Sequence, residues 1–257
     1  VDLGHTRPHL AKKVVDTFGN VIINNGDERH SAIITKIIRP VLPEFLKKCL
    51  ANMKGLPDHL SSDVSIDIRY SDAQSLELED ESVDLVVTSP PYAANAIDYM
   101  RAHKFSLVWF NFSIGDLSQK RKCYIGGEST TNITFEELPE YPASIVAKLE
   151  KVDRKRSAVL ERYFSEMTRV LQEMKRVLKP GKLAVMVVGN SNIKGIDTNT
   201  AYCLSEIGKS IGLKVPAIGY REIDRNKRML PVGNQKNLGS MIENRMHEEY
   251  IIGFLKP

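Results

Sequence analysis

The sequence predicts an α/β domain with a mostly parallel sheet, helices on both faces and an antiparallel last strand. Short apolar and β-branched runs at 85–88 and 182–189 are typical of buried strands. Apolar positions at helical spacing over 160–178 predict an amphipathic helix that covers the sheet. Segments 213–220 and 250–255 fit a terminal antiparallel pair. This alternation of elements is the pattern of α/β proteins.

The bulk composition is that of a globular protein. The chain has 257 residues, of which 42% are hydrophobic and 26% charged, enough for one domain over residues 1–257. The net charge of +4 is compatible with a phosphate-bearing partner but is not evidence for one. Three cysteines lie far apart without metal-ligand spacing, and we recognise neither a signal peptide nor a membrane span. We expect reduced cysteines, no metal site and a cytoplasmic location.

The first third of the chain offers elements but little chemistry. Apolar positions in 28–54 have helical spacing that Pro40 and Pro43 interrupt, which predicts two helices packed on a core or on a partner. Segment 64–70 alternates as a strand does. A further helix is expected over 95–112.

The stretch with most chemical content is the end of the strand at 85–88. Ser89-Pro-Pro-Tyr92 follows it directly. Proline has no N–H and a fixed φ, so Pro90 and Pro91 end the ladder and form a stiff corner. In open α/β sheets, ligands bind at the carboxyl ends of strands.

Such a corner suits a planar ring that carries an exocyclic amino group. The ring stacks on Tyr92, while the Ser89 hydroxyl and the Pro90 carbonyl accept hydrogen bonds from the amino group. These bonds leave the nitrogen lone pair free to attack an electrophile. The alternative is a proline-rich turn that merely ends a core strand. The complete Thr88-Ser-Pro-Pro-Tyr92 after an apolar strand favours the functional interpretation.

Thr88-Ser-Pro-Pro-Tyr92 resembles the catalytic motif of the amino-group DNA methyltransferases, which modify cytosine N4 or adenine N6. In that family serine before Pro-Pro-Tyr is typical of cytosine-N4 enzymes, and aspartate or asparagine is typical of adenine-N6 enzymes. Segments 95–109 and 163–256 also resemble this family, so the similarity covers most of the chain after about Asp63.

The resemblance implies a doubly wound fold, S-adenosylmethionine as cofactor and double-stranded DNA with a flipped base as substrate. It makes Ser89, Pro90, Pro91 and Tyr92 the catalytic residues, and 111–156 a candidate target-recognition insertion. Implied partners are a second methyltransferase chain or a restriction endonuclease. The polar, partly basic stretches 120–132 and 221–245 suit phosphate contacts, but solvated loops fit them equally well.

The resemblance also implies cofactor contacts. Asp72 and Ala73 follow the expected strand 64–70, where the family places an acidic element beside the cofactor adenine. A helix or turn cap is the alternative role for Asp72. Asn190 directly follows the expected strand at 182–189, at the same sheet edge as Ser89, and is expected to touch the target base or the catalytic loop.

The expected glycine-rich cofactor loop is the main departure from the family. The family pattern is Asp-Pro-Phe-x-Gly-x-Gly-Thr. In this sequence only Asp16, Phe18 and Gly19 resemble it, and the second glycine is missing. Three explanations stay open: the loop is degenerate, a second chain supplies it, or this chain lacks the segment.

Two further functions stay open beside a stand-alone DNA methyltransferase. The chain is a DNA-binding or pairing subunit whose cofactor site a partner completes, or it methylates RNA or a protein amide. The incomplete loop favours the first alternative, and Ser89 argues against the second.

Overall fold

The computed structural model describes residues 13–15, 21–23, 40–55, 64–93, 106–131, 133–222 and 248–257. Its contacts divide the chain into two compact units, residues 1–68 and 69–257, which are described separately below.

In the first unit, β1 (Lys13–Val15) pairs antiparallel with β2 (Val21–Ile23), and α1 spans Val41–Met53. α1 begins directly after Pro40, one of the two predicted interruptions, but it continues through Pro43. Pro43 lies in the first turn, where a missing N–H breaks no helical hydrogen bond. The helix expected before Pro40 lies outside the described residues. Several large apolar side chains of α1 are exposed: Val41, Leu42, Phe45, Leu46, Leu50 and Met53.

Among its described residues, the second unit contains a four-stranded sheet, four helices of at least ten residues each and a short hairpin. In chain order the elements are β3 (Val83–Thr88), α2 (Ile114–Cys123), α3 (Glu140–Glu150), α4 (Arg154–Val177), β4 (Leu178–Gly189), β5 (Asn192–Ile193), β6 (Ile196–Asp197), α5 (Thr200–Ser210), β7 (Ile218–Glu222) and β8 (Glu248–Leu255).

The sheet is mixed, with strand order β3-β4-β8-β7. β3 pairs with β4 in parallel, and β8 lies antiparallel between β4 and β7. β3, β4 and β7 therefore run in one direction and β8, the last strand, runs against them. The α/β class and the antiparallel last strand are thus confirmed. Three of the four described strands of this sheet run in one direction, although only one of the three pairings, β3 with β4, is parallel.

Helix α4 contributes many of the buried side chains of the core. It begins at Arg154, and the N-cap residue Asp153 accepts a hydrogen bond from Arg156 N at 3.0 Å. Its buried face includes Leu160, Phe164 and Leu171, as the sequence spacing predicts. The helix ends at Val177, slightly before the predicted Lys-Pro-Gly stop, because residues 178–181 already belong to β4.

The two sheet faces differ in exposure. Ala184, Met186 and Val188 of β4 are buried in one cluster with side chains of α3, α4 and α5. On the other face Leu85 is 57% exposed and Val87 69% exposed. In the described residues, the helices expected on both faces are thus seen packing on one.

Two expectations about single elements need correction. Residues 64–70 are not a strand, and their side chains are exposed. Their alternation has no ladder partner among the described residues, and a strand needs one to satisfy its backbone groups. Of the helix expected over 95–112, residues 106–109 are helical and 110–111 form a turn, while 94–105 lie outside the described residues. No helix in the described ranges combines the length and apolarity needed to cross a bilayer.

Candidate active site

The corner after β3 stands where the sequence places it. Thr88 is the last residue of the strand and pairs with Met186 of β4. Ser89 leaves the ladder and is exposed, whereas Pro90 is buried. The Ser89 side chain is therefore accessible at the carboxyl edge of the sheet, on a backbone that the following prolines stiffen.

Tyr92 is more enclosed than a stacking platform requires. Its side chain belongs to the main buried apolar cluster and the residue is 8% exposed. Its hydroxyl donates a hydrogen bond to Oε1 of Glu249 at 2.8 Å. A base that stacks on this ring must displace neighbouring groups first.

The backbone just after Tyr92 is held by Ser191. The Ser191 hydroxyl donates to the carbonyl of Ala93 at 2.7 Å. Ser191 is itself fixed by Thr198, whose hydroxyl donates to the Ser191 carbonyl at 2.9 Å and accepts from Ser191 N at 3.2 Å. The turn after β4 therefore clamps the corner after β3.

The sequence analysis predicted a contact with this segment for Asn190, the neighbour of Ser191, and not for Ser191 itself. Asn190 Oδ1 accepts from Ala201 N at 3.4 Å, at the start of α5. The polar run after β4 was a usable signal for a contact with the segment after β3, but the spacing did not show that Ser191 makes this contact.

Glu249 was missed altogether. It is the second residue of β8 and pairs with Gly189, the last residue of β4, so it lies at the same sheet edge as Ser89. Its Oε2 accepts from Arg221 of β7 at 2.9 Å (Nε) and 2.6 Å (Nη2). Two adjacent acids before an apolar strand were the available signal in the sequence.

Asp72 lies in an exposed turn. Its Oδ1 accepts from Gln74 N at 2.9 Å and from Gln74 Nε2 at 3.4 Å. The alternative role as a turn cap is therefore observed. Ala73 is within the same turn. The Asp72 carboxylate is exposed and can accept a further hydrogen bond, so a role of Asp72 and Ala73 beside the cofactor adenine stays a prediction.

The segment after Asp72 follows α4 toward the start of β3. Gln74 Oε1 accepts from Arg169 Nε at 2.9 Å, and Glu81 N donates to the Arg176 carbonyl at 3.0 Å. Seven helical residues correspond to about 10 Å along the axis. Because α4 ends where β4 begins, the Asp72 turn lies nearer the carboxyl edge of the sheet than Glu81 does.

The remaining predicted cofactor residues, Asp16, Phe18 and Gly19, lie outside the described residues. Of the predicted site residues, the structure describes residues 89–92, Asp72 and Ala73, and it adds the contacts of Ser191 and Glu249 with the corner after β3.

Two groups with shifted pKa values, the Asp84 carboxyl and the Cys203 thiol, have structural roles. Hydrogen bonds from Lys179 and then Lys182 lower the pKa of Asp84, at the opposite end of β3 from Ser89. Burial raises the pKa of the Cys203 thiol to about 12, and its sulfur donates to the Thr198 carbonyl. This thiol is protonated at neutral pH and is no nucleophile.

A cleft of about 490 Å³ lies elsewhere, between the loop around Phe135 and helices α3 and α4. Its rim carries four carboxylates and one guanidinium, from Glu136, Glu137, Glu150, Glu161 and Arg154. Neither Ser89 nor Tyr92 lines it, so this cleft is separate from the corner.

Comparison with known proteins gives consistent results. The chain is 28% identical over 208 residues to the type II methyltransferase M.MvaI of Kocuria varians, covering 74% of this chain and 46% of that protein. It is 31% identical over 160 residues to M.AvaI of Anabaena variabilis, covering 55% and 33%. The chain thus spans between a third and half of the length of these relatives.

Among solved structures, a Thermus thermophilus protein described as a candidate DNA modification methylase, in complex with S-adenosyl-L-methionine, aligns with a TM-score of 0.36 and 19% identity. The alignment covers 73% of this chain and 54% of that one.

The family model for DNA methylases of the N6/N4 type matches residues 83–250, which include the corner, Ser191 and Glu249. The chain belongs to this family of DNA methylases.

Proposed function

We propose that this chain transfers a methyl group from S-adenosylmethionine to an exocyclic amino group in DNA, with cytosine N4 as the preferred position. The observation that carries the proposal is the exposed Ser89 at the end of β3, in a proline-stiffened corner clamped by Ser191. Membership in the N6/N4 family supports the reaction type.

The corner acts by position and electrostatics. The Ser89 hydroxyl and the Pro90 carbonyl accept hydrogen bonds from the amino group, which localises the nitrogen lone pair and points it at the electrophile. Pro90 is buried, so this contact requires the groups that cover Pro90 to move when DNA binds. Pro91 keeps the two acceptors in register. The proton that the nitrogen loses after transfer passes to solvent, since Ser89 is exposed.

The cofactor, when bound, supplies an electrophilic methyl carbon. Among the described residues, Asp72 and Ala73 would hold its adenine, with the Asp72 carboxylate accepting from the amino group. Asp16, Phe18 and Gly19 remain further cofactor-binding residues predicted from the sequence resemblance alone.

The base must leave the duplex to reach the corner, because the amino group is not accessible to such a site inside the stack. Tyr92 would then stack on the base. Its 8% exposure means that stacking requires groups around the ring to move when DNA binds.

The test is methyl transfer by the full-length protein to unmethylated genomic DNA, followed by mass spectrometry of the nucleosides. N4-methylcytosine is the expected product. N6-methyladenine would correct the base and leave the mechanism standing, so the adenine-N6 enzyme is the first alternative. If the protein binds the cofactor but forms neither methylated nucleoside, the proposal is refuted.

A second candidate is a partner-dependent subunit. The departure from the glycine-rich pattern at Asp16, Phe18 and Gly19 favours it. Calorimetric titration with S-adenosylmethionine separates the two. Binding by the protein alone supports the stand-alone enzyme, whereas binding that appears only with a co-expressed second chain supports the subunit.

A further inference from the structure

Tyr92 is held at both ends of its side chain. Its backbone neighbour Ala93 is fixed by Ser191, and its hydroxyl is bound to Glu249 Oε1 at 2.8 Å. A ring fixed at the backbone alone still rotates about its side-chain torsions. The second contact, at the far end, fixes the direction of the ring.

The hydrogen bond crosses a strand. β4 lies between β3, which precedes Tyr92, and β8, which carries Glu249. The β4 residue paired with Glu249 is Gly189, which has no side chain to obstruct the approach. The contact therefore links the corner to a strand that is not its neighbour in the sheet.

Glu249 is itself oriented. Arg221 is its cross-strand partner on β7, and both guanidinium contacts go to Oε2. Each carboxylate oxygen thus has a separate partner: Oε1 the phenol and Oε2 the guanidinium. Hydrogen bonds to ionised groups are shorter and stronger than those between neutral groups. The Glu249 side chain is 15% exposed, so water competes little for this carboxylate.

We propose that Glu249, oriented by Arg221, is a positioning residue that sets the plane of the Tyr92 ring for stacking on the target base. The inference rests on the proposed function, because it assigns the contact a role in that reaction. It predicts that the Tyr92 hydroxyl matters for the rate although it touches no reacting atom.

The experiment compares Tyr92→Phe, Glu249→Ala and the double variant in the full-length protein, with kcat and KM for DNA methylation. Each single variant is expected to lower kcat about tenfold or more, the equivalent of one hydrogen bond to a charged group. The double variant is expected to be no slower than the slower single variant, because both changes remove the same contact. Affinity for S-adenosylmethionine is expected to stay unchanged.

The matched control is Glu248→Ala, the neighbouring acid on β8. Its carboxylate accepts from Tyr250 rather than from Tyr92, and it is expected to leave kcat unchanged. Thermal melting of every variant separates slow turnover from loss of fold. Should Glu249→Ala fail to fold, Tyr92→Phe alone decides, since it removes a single oxygen atom.

Wild-type kcat in Tyr92→Phe, or additive losses in the double variant, would overturn the positioning role. If the wild-type protein methylates no DNA at all, it is the proposed function that fails. The two failures are therefore distinguishable.

Discussion

Arg162 and Glu166, one turn apart on α4, form an ion pair with an Nη2–Oε1 distance of 2.8 Å and side chains only 2% and 5% exposed. The guanidinium also donates to the main-chain carbonyl of Lys122 in the last turn of α2 and to those of Tyr124, Gly127 and Ser129 in the loop after it. Glu166 Oε2 accepts from Gly126 N at 2.6 Å. The loop at 124–129, part of the stretch for which the sequence left phosphate contacts and a solvated loop open, is therefore fixed on helix α4.

Replacing Arg162 by Met should lower the free energy of unfolding by about 3–5 kcal/mol, because Glu166 would stay buried without its charge partner. Denaturant unfolding measures the change. The control is Arg154→Met: Arg154 is 91% exposed and 4.0 Å from Glu150, so its loss should cost below about 0.5 kcal/mol. A similar small change in both variants would contradict this account of the loop.

A second prediction concerns the contact between α5 and β8. A Cβ on Gly208 would lie 2.5 Å from Phe254 Cε1 and 2.8 Å from Cδ1. Phe254 is fully buried and has little room to yield. Gly208→Ala should therefore destabilise the protein by about 1–2 kcal/mol, although alanine favours helix by about 1 kcal/mol.

The control for this change is Gly115→Ala in α2, where a Cβ would meet Ser113 Oγ at an ordinary 3.7 Å. There the helix propensity should act alone, and the midpoint of thermal unfolding should stay or rise. A stabilised Gly208→Ala variant would show that Phe254 can move.

Local pattern carried much of the sequence prediction of the fold. Burial of one face of a helix or strand sets the spacing of its apolar residues, so this spacing predicts the element. It did so for the strands at 85–88 and 250–255 and for helix α4. Segment 64–70 shows the limit of such reasoning. Its alternation is perfect, yet a strand depends on a partner that no local pattern reveals.

The candidate site likewise has one part that the sequence could predict and one part that it could not. Ser89 and the prolines could be placed from sequence, because proline sets the backbone wherever it stands. The contacts of Tyr92 with Glu249 and of Ala93 with Ser191 join residues roughly 100 or more positions apart. Such pairs depend on strand order, which composition and spacing do not specify.

A third prediction concerns acid stability. Glu173 binds Arg176 through both carboxylate oxygens and accepts from Leu76 N at 2.8 Å, which fastens the connector before β3 to α4. The Arg176 hydrogen bond, more than the Leu76 amide, lowers the pKa of Glu173 below its ordinary 4.5. A depressed pKa in the folded state stabilises the protein above pH 4.5, and this contribution is lost as the pH falls through the folded value.

Glu173→Gln should therefore be less stable than wild type at pH 7, and the difference should shrink below about pH 4.5. Urea unfolding of both proteins at pH 7 and pH 3 measures it. Glu206→Gln is the matched control, because the Glu206–Lys209 pair has both side chains about half exposed and should contribute little at either pH. An equal deficit of Glu173→Gln at both pH values would show that charge is not the cause.

The last prediction addresses the hydroxyl at the corner. Ser89 is exposed and follows the last ladder residue of β3, so Ser89→Ala should change the free energy of unfolding by less than about 0.5 kcal/mol. The same change removes one of the two acceptors proposed for the target amine. In the full-length protein we expect kcat for methyl transfer to fall about ten- to a hundredfold, with unchanged cofactor affinity.

Ser82→Ala supplies the comparison: Ser82 is also exposed, precedes the same strand and bonds only locally, to the Glu79 carbonyl at 2.7 Å. A Ser89→Ala enzyme as fast as Ser82→Ala would mean that the hydroxyl does not touch the amine, and serine at this position would no longer support the choice of cytosine N4.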